Sequence, residues 1–201
     1  MHPKHIMISI LTLLVAITGF SRDFNVGKSA PDFSLIDANG KAHELQQYRG
    51  KYVVLEWVNY DCPFVKKHYD SGKMQELQAT YTGRDVIWLS INSSAPGNQG
   101  NFKSKEINRR AKAHGAAFSA YLIDSDGKVG KAYGARTTPH MFIVDPQGQI
   151  VYAGGADNIR SAKVEDIGKA KNYIAAALDE ALAGQPITDS ISKAYGCSVK
   201  Y

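Results

Sequence analysis

Two cysteines stand in this chain of 201 residues, and their surroundings differ. Cys62 follows the apolar run Tyr52 to Val58 and the polar cluster Asn59-Tyr60-Asp61, and Pro63 follows it. That order predicts a buried strand, a short turn and a helix, with proline in the first helical turn where its missing N–H leaves nothing unpaired. A cysteine at a helix N-terminus faces about half a positive charge and several free N–H groups. Both stabilise a thiolate, and thiols so placed have pKa values of about 3.5–7.5 and react as nucleophiles. Lys66, one turn on, is expected on the same face, where it adds positive field. Cys197 lies 135 positions later, between Gly196 and Ser198, in what reads as a flexible tail. Two cysteines are too few for a disulfide-dense scaffold or an all-cysteine zinc site. Cys62 and Cys197 taken with His68 and His140 match no zinc spacing. Asp124-Ser125-Asp126-Gly127 is a turn and not a calcium loop, because Ala135 stands where the bidentate Glu belongs.

The elements that must position these thiols alternate in type. A hairpin is expected over Asp32 to Glu44, with its turn at Asp37-Ala38-Asn39-Gly40. The strand before Cys62 and a second at Val86 to Ile91 read as buried. A helix opens at Cys62 and is interrupted at Asp70-Ser71-Gly72. Polar Lys103 to His114 and short Val129 to Tyr133 read as helices, and Met141 to Val144 with Ile150 to Tyr152 as a closing hairpin. Val164, Ile167, Ile174, Leu178 and Leu182 mark one face of a long helix ending at Gly184. The result is an α/β sandwich around a central mixed β-sheet flanked by helices, with an N-terminal β-hairpin. Apolar residues at 44% and charged residues at 21% exclude a disordered chain and a multi-pass membrane protein. The net charge of +5 is dispersed and accompanies no nucleic-acid motif.

The N-terminus reads as an address. Met1 to Lys4 is basic, and Ile6 to Phe20 is uncharged and apolar but shorter than the roughly 20 residues of a membrane span. Gly19-Phe20-Ser21 offers small residues for cleavage after Ser21. Residues 1–21 are therefore expected to be a signal peptide, leaving no stable membrane span in the mature chain. The destination is an oxidising compartment, the periplasm, where a cysteine pair persists as a disulfide.

The segment Leu55-Glu56-Trp57-Val58-Asn59-Tyr60-Asp61-Cys62-Pro63-Phe64 resembles the active-site region of thioredoxin-like proteins. Ala30-Pro31-Asp32-Phe33 followed by Leu45 to Lys51 resembles the entry hairpin of the redoxin (alkyl hydroperoxide reductase/thiol-specific antioxidant) branch. Thr137-Thr138-Pro139 resembles the cis-proline loop, and the Cys-Pro-Phe-Val motif with a Gly-Cys-Ser-Val-Lys-Tyr end resembles a peroxiredoxin-like group. The likeness spans Phe24 to Gly184 and implies a thioredoxin/redoxin domain over residues 22–184, followed by a tail, 185–201, that carries Cys197.

The resemblance implies roles. Cys62 matches the nucleophilic cysteine, Pro139 the cis-proline lining the groove, and Thr138 a backbone contact for an extended substrate chain. Asn59 and Pro63, flanking Cys62, complete the expected substrate contacts. Glu56 matches a buried acid beneath the site, whose raised pKa suits it to carry protons. Two departures stand out: Val65 replaces the second cysteine of the usual motif, and Leu55 and Asn59 occupy the positions of a peroxidase Pro and Thr. With no local dithiol, Cys197 is the expected resolving cysteine, within or between chains. A structural bridge, or two thiols that never meet, stays open at this point. The implied function is thiol–disulfide exchange with protein or small-molecule thiols and disulfides, with no cofactor because the thiols carry the electrons. Hydroperoxide reduction, with Asn59 or Arg136 as peroxide donors, and a non-enzymatic binding module are the alternatives.

Overall fold

The computed structural model describes residues 25–201, so the expected signal peptide lies outside the described residues. In chain order the elements are β1 (Ser34–Asp37), β2 (Ala42–Glu44), a 3-10 turn (Leu45–Tyr48), β3 (Val53–Trp57), α1 (Pro63–Asp70) and α2 (Lys73–Thr82). They continue with β4 (Ile87–Asn92), α3 (Ser104–Ala113), β5 (Ala120–Ile123), α4 (Lys128–Tyr133), β6 (Thr137–Thr138) and β7 (His140–Val144). The last are β8 (Ile150–Gly154), a second 3-10 segment (Val164–Lys169), α5 (Tyr173–Leu182) and β9 (Cys197–Ser198). Seven strands form one mixed sheet in the order β2-β1-β5-β4-β3-β7-β8. β3, β4 and β5 run parallel at its centre, and β1 and β7 flank them antiparallel. β6 and β9 pair separately.

The central strands are buried on both faces, which is why they read as continuous apolar runs. Their side chains alternate between two cores. Val54 and Val58 of the β3 segment, Trp88, Met141 and Ile143 pack with α1, α2, α3 and α5. Val53, Leu55, Trp57, Leu89 and Phe142 pack on the other face with Phe33, Leu45 and Tyr133. Glu56 falls on the first face, directed toward α1 and α2. The expected break after Asp70 is present, with Gly72 in the left-handed region at φ +76°.

Two expectations change. The long helix from Val164 is instead a 3-10 segment and a separate helix. The backbone becomes extended at Ala170, and Asn172 restarts the helix by accepting the Ala175 N–H at 2.8 Å. Periodicity alone did not register that cap. The tail is also well fixed rather than loose. Val199 N–H donates to Arg136 O, the Ala95 N–H donates to Lys200 O, and Tyr195 is buried.

Candidate active site

Cys62 is the N-cap residue of α1, with extended backbone (φ −76°, ψ 124°) and Pro63 in the first turn. The loop that delivers it is braced by side chains. Asn59 Oδ1 accepts the Asp61 N–H at 3.0 Å, and Arg110 Nη1 donates to Asp61 at 2.6 Å. The Cys62 N–H donates to Asn59 O, and Cys62 O accepts from Val65 and Lys66 as the helix begins. Pro63 is exposed beside the thiol, whereas Cys62 itself is fully buried.

The Thr138–Pro139 peptide is cis, as the loop's resemblance implies. The Cys62 thiol donates to Thr138 O at 3.1 Å. Along that loop, β9 runs antiparallel to β6, with Cys197 opposite Thr138 and Ser198 opposite Thr137. The tail therefore carries Cys197 to the loop that holds Cys62, and both cysteines are free thiols. Burial pushes the Cys62 pKa up. The Cys197 thiol, the Thr138 side chain and the backbones of Cys197 and Val65 around the sulfur outweigh it, so the pKa lies below that of an ordinary thiol. Burial and the adjacent Cys62 push Cys197 the opposite way, up to about 11.

Glu56 is completely buried. Tyr69 OH donates to Oε1 at 2.9 Å, and Trp88 Nε1, Ser90 Oγ and Gln78 Nε2 donate to Oε2 at 2.8, 3.0 and 3.1 Å. Burial raises its pKa despite these four donors. None of its hydrogen bonds among the described residues reaches either thiol. Asn59 is nearly buried, and its amide also donates to Gln99 O at 3.3 Å, so its polar atoms shape the loop.

Lys66 is exposed, and the buried cation is its neighbour Lys67, turned about 100° around the helix. Lys67 Nζ donates to Asp157 at 2.8 Å, Ile159 O at 2.8 Å and Tyr195 OH at 3.0 Å. Tyr195 OH donates in turn to Asp157 Oδ1. This cluster fixes the tail just before Cys197, and the basic run Lys66-Lys67-His68 concealed it because such runs usually face solvent. His140 follows the cis-proline, is buried and has its pKa lowered to about 4 by burial and by Arg136. It lines a cleft of about 410 Å³ with Arg136, Thr137 and Lys193, beside the tail. The described residues contain no cluster of three metal-ligating side chains.

Comparison with known proteins gives this geometry a lineage. Over 150 residues the chain is 31% identical to the thiol-disulfide oxidoreductase ResA of Geobacillus thermodenitrificans, covering 70% of this chain and 80% of the relative. An uncharacterized conserved protein of Geobacillus kaustophilus superposes with a TM-score of 0.77 at 29% identity, over 90% of this chain and 94% of the other. A hypothetical protein of Sinorhizobium meliloti gives 0.74 at 27%, over 88% and 94%. The likeness bears out the expected thioredoxin-like arrangement of a central mixed sheet flanked by helices. The AhpC/TSA family model matches residues 26–153, and the chain belongs to that family.

Proposed function

We propose that this protein is a thiol–disulfide oxidoreductase in which Cys62 is the nucleophile and Cys197 the resolving thiol of the same chain. The observation that carries it is the pairing of β9 with the cis-proline strand, which brings Cys197 to the loop beside Cys62, the thiol of lowered pKa. The Cys62 thiolate attacks one sulfur of a substrate disulfide, and the other substrate sulfur leaves as a thiolate and takes a proton from water. Cys197 loses its proton and attacks Cys62, releasing the second substrate thiolate. The substrate has gained two electrons and the chain holds a Cys62–Cys197 disulfide. A dithiol reductant returns it to the start, and the cycle runs in reverse when oxidation of substrates is favoured.

Thr138, Pro139 and the exposed Pro63 form the substrate face in this reading. Asn59 holds the loop that presents it, and buried Glu56 accepts or returns a proton through intervening water. Hydroperoxide reduction is less well supported, because Asn59 already engages Asp61 and Gln99 and Arg136 turns toward the His140 cleft. The compartment follows from the N-terminal segment: we assign the protein to the periplasm, with residues 1–21 removed. No helix among the described residues is long and apolar enough to cross a membrane.

The test is to equilibrate the protein in graded thiol/disulfide buffers, alkylate it and weigh it, with Cys197→Ser as control. A reversible two-electron couple above about −300 mV, absent in the variant, is expected. A bond that reduces only below that potential would make the bridge structural. Thiols that never pair would overturn the two-cysteine cycle.

A further inference from the structure

The strand edge beside Cys62 is already occupied. β9 pairs with β6 where the resemblance places an extended substrate chain, and Cys62 is fully buried beneath it. The fit is specific. Gly196 has φ +143°, and a Cβ there would overlap Thr138 O. At the end of the tail, the Tyr201 ring lies in a cradle where a Cβ on Gly127 or on Gly130 would overlap it. Tyr201 OH donates to Ala135 O at 2.7 Å, and Lys131 Nζ stands 5.4 Å over the ring. The tail is thus held on both sides of Cys197, by Tyr195 in the Lys67–Asp157 cluster and by Tyr201 in its glycine cradle.

We propose that Tyr195–Tyr201 is a tethered competitor of polypeptide substrates: it occupies the cis-proline edge as an extended glycine-cysteine strand, Tyr201 latches it, and a protein disulfide reaches Cys62 only when the tail leaves. This rests on the exchange reading above and adds its substrate class and its gate. A strand that replaces the tail along the same path must carry glycine immediately before its cysteine, since a side chain there meets Thr138 O. The tail's return then does two things. It brings Cys197 to the mixed disulfide, and it displaces the substrate strand from the edge as the Cys62–substrate bond breaks and the Cys62–Cys197 bond forms. A weaker latch therefore speeds entry and slows resolution.

The test begins with the full chain carrying Cys197→Ser, so that Cys62 is the sole thiol. The rate at which iodoacetamide alkylates Cys62 is followed by mass across a pH series, which separates access from thiolate content. Adding Tyr201→Ala is expected to raise the plateau rate at least tenfold, and Tyr201→Phe, which keeps the ring in its cradle, to raise it less. In the same three chains, a peptide with the pyridyl disulfide of a glycine-cysteine pair is expected to form the mixed disulfide faster than its alanine-cysteine counterpart. An unchanged plateau in a Tyr201→Ala chain with native circular dichroism would overturn the latch. Equal peptide rates would overturn the glycine requirement. Alkylation reports access whether or not Cys62 exchanges disulfides, so a failed gate and a failed exchange cycle, read from the redox couple, are told apart.

Discussion

Cys62 and Cys197 have their pKa values moved in opposite directions, and that asymmetry orders the chemistry. Near neutrality Cys62 is the better thiolate, while Cys197 keeps its proton and donates it as a hydrogen bond. When a reductant opens the disulfide, its thiol meets the partly exposed Cys197, and Cys62, the sulfur of lower pKa, is the faster leaving group. Thiolate absorbance followed against pH should therefore rise through Cys62 at a lower pH than for an ordinary thiol. In Cys197→Ala the lost donor should move that rise to higher pH; a rise that stays in place would show that Cys197 does not stabilise the thiolate. Glu56 gives a prediction of the other sign. Its folded pKa is raised, so ionisation opposes folding, and stability should fall as pH climbs from the unfolded value of about 4.3 toward the folded one. Glu56→Gln can keep the network, its amide donating to Tyr69 OH and its carbonyl accepting from Trp88, Ser90 and Gln78. Urea unfolding of this variant should lack that decline and be at least as stable as wild type at pH 7. A less stable variant at every pH would mean that the carboxylate form is the one the pocket favours.

At the scale of elements, what could be read in the sequence was local. The strand before Cys62, the proline that opens α1, the break at Gly72 and the cis-proline loop each depend on residues within a few positions of one another, and each lies where expected. The pairing of β9 with β6 was hidden, because a two-residue strand has no period and its partner lies some sixty positions away. Lys67 was hidden for a related reason: its partner Asp157 is 90 positions distant, and nothing near Lys67 says that it is buried. The 3-10 segment before α5 was misread because apolar spacing continues across Ala170 while the backbone does not. The Lys67–Asp157 pair carries a prediction at this scale. Both side chains are almost wholly enclosed, so removing one leaves a buried charge without its counter-ion. Lys67→Met should lower stability in urea by about 3–5 kcal/mol. It should also make Tyr195 more accessible, read by hydrogen exchange over the tail. A loss below about 1 kcal/mol, the scale of an exposed pair, would show that water reaches the cluster.

For the molecule as a whole, the two thiols couple folding to redox state. A Cys62–Cys197 bond would close a loop of 135 positions, and loop-closure entropy bounds its stabilisation at about 5 kcal/mol. The same free energy must appear as a difference between the potentials of the folded and unfolded chain, about 100 mV at that bound, since 30 mV corresponds to about 1.4 kcal/mol. The bound should not be reached. The reduced fold has its own stabilisation, the contacts around Cys62 that lower its pKa, and oxidation removes them. Urea unfolding of the oxidised and the reduced chain should therefore show the oxidised form more stable, by clearly less than 5 kcal/mol. The potential of the folded protein should lie below that of the chain in denaturant by the matching number of millivolts. A gap at the full bound would mean that the thiolate contacts contribute nothing to the reduced fold. A reduced form more stable than the oxidised one would reverse the sign of both quantities, and the fold would then favour giving its disulfide to substrates over taking one from them.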